Sequence, residues 1–355
     1  MDVNNEHFRS SEPDGDIEVS VIMSTYNRAD FLPDALTALA AQDCRARFEV
    51  IVIDNASTDD TPAVLEQWCR KDLKFRTARE PRLGLSWGKN AGIRLARAPL
   101  LLFTDDDMLA DPHWIQSYCE FFSRRKNGMM LAGGPYIPIP HDLGKWPSWF
   151  DEPALADVAL LHYHRERALH KMEWVWGGNM AVPAQLFDQL GSWDVTVGRK
   201  GDERGTFEDT EFQDRVRGAG GTVWFCPDAV VQHRVPRQMV TPRRVSATAF
   251  SRGRNAVWMK NLPVWQDVNR IPKSNLVEGL LALGGNLLRW GLWAIAFRLF
   301  QNKSCFERAR RAAFASGRSL DRLRAGRQSV RLFQAAGRIA FPARSLILRL
   351  IPDVY

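Results

Sequence analysis

Two acidic clusters in this 355-residue chain have the residue types and settings to do chemistry. One is Asp105-Asp106-Asp107, which ends the apolar run Pro99–Thr104; the other is Glu208-Asp209, followed closely by Glu211. Adjacent carboxylates repel one another unless a cation offsets them, and hard divalent ions such as Mg2+ or Mn2+ favour oxygen ligands of this kind. An ion held there could grip a diphosphate. The next helix already has a start signal in Asp111 before Pro112, with Trp114, Ile115, Tyr118 and Phe122 as its apolar face. The upstream triple is therefore left without a structural task. Glu208 and Asp209 open a helical pattern, where acids complement the helix dipole, and a carboxylate so placed can also take a proton from an attacking hydroxyl. Residue type alone leaves both roles open.

The elements that must position these groups follow an alternating rhythm. Val19–Thr25 reads as a strand, Phe31–Ala41 as a helix, and 48–55 as a second strand. Ser57 or Thr58 is the expected cap of a helix whose apolar face is Val64, Leu65 and Trp68. Trp87–Arg97 reads as a further helix and Pro99–Thr104 as a third strand. Near-continuous apolar strands separated by helices imply an α/β fold, a mostly parallel sheet covered on both faces, with ligands at the carboxyl ends of its strands. Thr25-Tyr26-Asn27, Asp54-Asn55 and Asp105-Asp106-Asp107 all fall at such ends.

Further along, 174–194 reads as a strand with small residues followed by a helix over 183–190. Gly177 and Gly178 permit either a close approach to a ligand or a bend in the strand. Thr222–Phe225 and Ala229–Gln232 read as a hairpin-like pair of strands, and His233 at its end is either structural or a ligand.

Charge divides the chain. Residues 234–355 hold 23 Lys/Arg against 5 Asp/Glu, whereas the first 233 hold 25 against 36. Residues 275–300 are strongly apolar but interrupted by Glu278, Arg289 and Arg298, and the uninterrupted stretch is too short to span a bilayer. Arginine-rich amphipathic sequence continues to "FPARSLILRLIP", a pattern suited to an anionic membrane surface, to packing on the rest of the chain, or to a dimer contact. Nucleic-acid binding is a third reading of this charge, but no RNA- or DNA-binding motif accompanies it and the aromatics sit with leucines, which argues against that class. Arg243, Arg244, Arg252 and Arg254 on the preceding segment suit closure over a diphosphate or an anionic lipid surface. Five scattered cysteines without a CxxC spacing indicate neither a disulfide framework nor a zinc site. The polar start, residues 1–16, lacks the features of a signal peptide and reads as a disordered leader. The expected location is cytoplasmic, peripheral on the inner face of the membrane. Residues 17–235 form the expected main domain, divided at 110 into a donor and an acceptor half, and 236–355 a basic helical region.

Five segments in order, "VSVIMSTYNR", "VIVIDNASTDDT", "GKNAGIRLA", "LLFTDDDM" and "FEDTEFQDRVRGAG", resemble the family 2 inverting glycosyltransferases of GT-A fold. The resemblance implies a Rossmann-like sheet and transfer from a nucleotide-diphosphate sugar, usually a UDP-sugar, to a glycan or lipid-linked acceptor in polysaccharide assembly. It places Thr25, Tyr26, Asn27 and Arg28 against the nucleotide, with Tyr26 offering a stacking face and Asp54 accepting from the base. Lys89 stands where the family more often has arginine, beside Asn90. Asp105 is expected toward ribose and metal, Asp107 on the metal (Mn2+ or Mg2+), Asp106 between them, and His233 completing the metal shell. Gly178 is expected at the ligand, Asp209 as the base, and Glu208 beside it toward the acceptor. Two alternatives of other kinds remain: a non-catalytic nucleotide-sugar-binding protein of the same fold, and a sugar nucleotidyltransferase, which would not need the Glu208-Asp209 pair.

Overall fold

The computed structural model describes residues 17–125, 128–147, 150, 161–171, 173–199, 208–250, 276–300 and 303–325. The expected leader, the loop before Glu208, Arg252, Arg254 and the basic stretch after 325 lie outside the described residues. The chain divides into two compact units, residues 1–137 with 161–234, and residues 138–160 with 235–355.

The first unit is built on an eight-stranded sheet. Its strands are β1 (Val19–Thr25), β2 (Phe48–Asp54), β3 (Phe75–Arg79), β4 (Leu100–Thr104), β6 (Met130–Gly133), β8 (Arg167–Ala168), β9 (Asn179–Pro183) and β10 (Thr222–Phe225), following β5 (Met108–Ala110) and β7 (Tyr136–Pro140) in chain numbering. The order across the sheet is β3-β2-β1-β4-β9-β6-β10-β8. β3, β2, β1 and β4 run parallel, while β9 enters antiparallel between β4 and β6. β5 pairs antiparallel with β11 (Val231–Val235) in a separate three-stranded sheet.

Alternation along the strands sorts side chains to two faces. Val19, Val21 and Met23 of β1 join Leu102, the helix Leu32–Ala40 (α1) and Trp114, Tyr118 and Phe121 of the helix Trp114–Ser123 (α4) in one core. Ile22, Leu101 and Phe103 face the other way, toward Leu186 and Phe187 of the helix Ala184–Leu190 (α5) and Phe212 and Val216 of the helix Glu208–Gly218 (α6). Thr61–Lys71 (α2) and Leu85–Leu95 (α3) complete the layers. α3 lies so close to β1 that a Cβ on Gly92 would meet Ile22 at 2.4 Å and one on Gly88 would meet the Ser24 hydroxyl at 2.0 Å. The two glycines of "GKNAG" are thus explained by packing.

Several expectations are corrected. β3 is an additional parallel strand, so the aspartate triple follows the fourth strand of the chain; β3 is half-buried at the sheet edge and its sequence, "FRTAR", lacks the apolar run that marks the others. α2 starts at Thr61 with Asp60 in the cap position; the Ser57 N–H instead donates to Asp54 and the Ser57 hydroxyl accepts from the Asn27 N–H. The cap of α4 is His113, whose N–H donates to the Asp111 carboxylate, and Phe121, not Phe122, is fully buried. β10 and β11 do not form a hairpin: each joins a different sheet, since β10 finds a parallel partner in β6. In the second unit, helices Leu276–Phe300 (α7) and Lys303–Ala325 (α8) pair. Among the described residues, no helix is long and apolar enough to cross a membrane.

Asn179, fully buried at the start of β9, ties the layers together. Its carboxamide oxygen accepts from Trp114 Nε1 and the Tyr118 hydroxyl, each at 2.7 Å, and its amide nitrogen donates to the carbonyls of Pro135 and Ala229 at 2.9 and 2.8 Å. Stranding several buried polar groups at once costs far more than losing one exposed hydrogen bond. Asn179→Ala is expected to lower unfolding free energy by about 3 kcal/mol or more in urea denaturation, whereas a loss below about 1 kcal/mol would show that the four partners find water instead.

Candidate active site

Strand register lines up the carboxyl ends. Thr25 is level with Asp54, Asp54 with Arg79, and Thr104 with Asn179. Because β9 runs antiparallel to β4, the residue after Thr104 meets the residue before Asn179: Asp105 lies against Gly178. A Cβ on Gly178 would sit 2.2 Å from an Asp105 carboxylate oxygen and 2.3 Å from the Tyr136 hydroxyl, so only glycine fits. What approaches this glycine in the structure is the chain's own Asp105 and Tyr136.

The three aspartates face different surroundings. Asp106 is buried, accepts from the Thr25 hydroxyl at 2.7 Å and lies 3.5 Å from the Arg28 guanidinium. Burial and the neighbouring Asp107 push its carboxyl up to about 7. Asp107 lies 3.5 Å from His233 Nε2; burial works to raise its pKa, but His233, Arg28 and Arg199 outweigh that and hold it down at about 2. Asp105 is raised by burial, with Lys89 opposing. β11 delivers His233: it is opposite Met108, and the following Arg234 N–H donates to the Asp107 carbonyl at 2.9 Å. His233 Nδ1 is buried and has no hydrogen-bond partner.

The second acidic cluster arrives from α6. Asp209 accepts from the Gly177 N–H at 2.8 Å and from the Thr210 N–H at 2.7 Å, which fixes its carboxylate against the same glycine pair. Burial and the adjacent Glu208 push Asp209 up to about 6, against the pull of Lys89. Lys89, on α3, is buried and ion-paired to Glu208 at 3.1 Å. Burial pulls its ammonium down, but Glu208, Asp105 and Asp209 raise it further, so it stays charged. A Cβ on Gly177 would lie 2.9 Å from Lys89 Nζ and 3.0 Å from Asp209 Cβ. Asp105, Lys89, Glu208, Asp209, Gly177 and Gly178 therefore share one locus, three carboxyl groups and an ammonium around a glycine pair.

Other sequence-derived residues take these places. Tyr26 is half-buried at the end of β1. Asn27 adopts a left-handed backbone (φ 53°), a conformation asparagine tolerates, and its side-chain oxygen accepts from the Thr58 N–H. Asp54 is buried, 3.2 Å from Arg79, and accepts from the Ser57 N–H. Asn90 is committed on both sides to the Trp193 backbone, as donor at 2.9 Å and acceptor at 3.0 Å, and so anchors α3 to that loop. Among the described residues, no three His, Cys, Asp or Glu side chains already stand close enough together to hold an ion.

Sequence reasoning missed four groups. Tyr136 lies beside Asp105, Asp107 and Asp209, and burial followed by these charges raises its phenol well above the ordinary value. Trp176 packs against the Tyr136 ring at 5.0 Å. Arg79 comes with the overlooked β3. Arg234, a buried arginine next to His233, bonds the Asp34 carboxylate at 2.6 Å and the carbonyls of Phe31 and Asp106. In the sequence it stands in "VQHRV", where polar neighbours give no sign of its burial.

Comparison with known proteins gives a consistent answer. The family described as "Glycosyl transferase family 2" matches residues 20–180. Validoxylamine A glucosyltransferase of Streptomyces hygroscopicus subsp. jinggangensis is 31% identical over 199 residues, covering 50% of this chain and 47% of that protein, so the chain spans about half the length of this curated relative. A mannosyltransferase from Pyrobaculum calidifontis, solved with GDP-Man and Mn2+, superposes with a TM-score of 0.54 at 18% identity over 89% of this chain and 90% of its own. The S. aureus TarS 1–349 structure in complex with UDP gives 0.50 at 16% identity, covering 88% and 92%. These likenesses show the fold, and the family match together with the 31%-identical relative shows that residues 20–180 of this chain are similar to glycosyl transferase family 2 domains.

Proposed function

We propose that the chain is a metal-dependent inverting glycosyltransferase that moves a sugar from a nucleoside-diphosphate sugar, with UDP-sugars first in line, to a hydroxyl of a lipid-linked or polysaccharide acceptor. The observation that carries this reading is Asp209: a carboxylate pushed up to about 6, fixed by the Gly177 N–H, in the locus that also holds Asp105 and Lys89. Inversion in one displacement needs a base on the acceptor side and positive charge on the diphosphate side. Asp209 takes the acceptor proton as the hydroxyl attacks the anomeric carbon. Glu208, held by Lys89, lies next to it and orients the acceptor. On the donor side, Thr25, Tyr26, Asn27 and Arg28 line the nucleotide, with Asp54 toward the base, and the GDP-Man and UDP complexes of the structural neighbours support a nucleotide there.

Two donors of types suited to a divalent cation already stand together, and Asp105 would have to draw in to make a third. Asp107 and His233 already face each other at 3.5 Å, and the opposite ring nitrogen of His233 is buried without a partner, so the imidazole has no competing commitment. Asp105, Asp107 and His233 would hold Mn2+ or Mg2+, which when bound supplies charge to offset the departing diphosphate. The Mn2+ in the mannosyltransferase complex supports this.

With purified full-length chain and a panel of UDP-, GDP- and dTDP-sugars, Asp209→Asn is expected to reduce transfer by about 10³-fold while donor affinity stays within about twofold. Normal turnover in that variant would show that another group is the base. The base works only when deprotonated, so wild-type kcat/KM should fall as pH drops through about 6, the value to which Asp209 is raised. A rate flat from pH 5 to 8 contradicts the assignment. Asp107→Ala and His233→Ala should each abolish the extra thermal stabilisation that Mn2+ gives with donor, and equal stabilisation with and without Mn2+ in the wild type would remove the metal site.

A further inference from the structure

α7 is apolar on two opposite sides. Leu283, Leu287, Trp290 and Ala294, at helical spacing, are buried in a core with Phe306, Ala309 and Ala313 of α8 also buried, and the Phe250 ring stacks on Trp290 at 5.4 Å. Leu288, Leu292, Ile295 and Leu299 repeat the same spacing but are 65%, 58%, 42% and 70% exposed. At the helical turn angle, the centres of the two stripes lie about 140° apart. The first stripe holds the helix pair together. The second has no partner among the described residues.

The flanks of that stripe identify its occupant. Arg289 and Arg298 are both exposed and stand about 90° to either side of it. α8 adds seven Lys/Arg against two Asp/Glu, with Arg311 largely exposed and Arg308 laid over the Trp293 ring at 4.5 Å. An aliphatic ridge with an exposed arginine on each flank matches the boundary of an anionic bilayer: leucines enter the acyl region while guanidinium groups stay level with the headgroups. A second copy of this chain would bring like charges together along both edges of the contact. The helix is not long and apolar enough to cross, so it would lie in the plane of the interface.

We propose that the Leu288, Leu292, Ile295 and Leu299 face of α7, bordered by Arg289 and Arg298, is a docking surface for an anionic lipid bilayer. The surface belongs to the second unit and does not depend on the reaction assigned to the first. Full-length protein is sedimented with vesicles of phosphatidylcholine alone and of equal parts phosphatidylcholine and phosphatidylglycerol. Wild type is expected to bind the anionic vesicles preferentially and to be released by added NaCl. Leu288→Glu with Leu292→Glu should weaken binding by about tenfold or more, and Arg289→Glu with Arg298→Glu should remove the preference for anionic lipid. These side chains are exposed, so melting temperatures close to wild type are expected and show that the fold is kept. Absence of wild-type binding, or unchanged binding by the double glutamate variant of the leucines, would overturn the proposal. So would a lipid-free dimer in sedimentation velocity that the leucine variant abolishes, because the stripe would then be a contact between copies.

Discussion

The carboxyl end of the sheet depends on the insertion of β9 between β4 and β6, and that insertion is locked by the side chain of Asn179. A single amide answers an indole, a phenol and two loop carbonyls, all in a dry interior where leaving any of them unpaired is costly. The antiparallel register that follows places Gly178 against Asp105 and Gly177 against Lys89 and Asp209. The acidic residues of the first half of the chain and those of the second meet at two backbone positions, one closed to a Cβ by Asp105 and Tyr136 and the other crowded by Lys89 and Asp209. Their missing Cβ atoms matter here for space rather than for flexibility.

This arrangement concentrates negative charge, and the fold distributes the cost. Asp105, Asp106, Asp107, Glu208 and Asp209 are faced by Arg28 from the loop after β1, Lys89 from α3, and His233 and Arg234 from β11. The balance is incomplete by design of the geometry: Asp106 and Asp209 keep raised pKa values. A carboxyl that holds its proton more tightly when folded than when unfolded subtracts from stability as pH rises from the unfolded value near 4, and the full cost is present above the folded value. Near neutral pH the site therefore works against folding. Such a cost is characteristic of functional rather than structural clusters.

The second unit solves a different problem with simpler means. α7 uses one apolar stripe to bury itself with α8 and leaves the other, with an arginine on each side, to its surroundings, while most of the basic residues of the pair lie on α8. A reaction on membrane-held acceptors and a surface able to rest on anionic lipid would complement each other, although each stands on separate residues.

Sequence alone determined the α/β class, the strands β1, β2 and β4 and the acidic groups at their ends, because apolar runs and clustered charges are local patterns. It also marked α7 as apolar but too interrupted to span a bilayer. It did not reveal β3, whose edge position needs no apolar run, or the separation of β10 from β11, since pairing is chosen by partners distant in the chain. Tyr136, Asn179 and Arg234 were invisible for the same reason: their roles come from what register and burial bring to them. Nor could spacing show that Lys89 would be buried against Glu208, 119 residues away, or that the helix Leu276–Phe300 would bury one apolar stripe and expose its opposite. Local sequence supplied the reactive groups, and only tertiary structure decided their neighbours, because desolvation and charge coupling depend on distance in space and not along the chain.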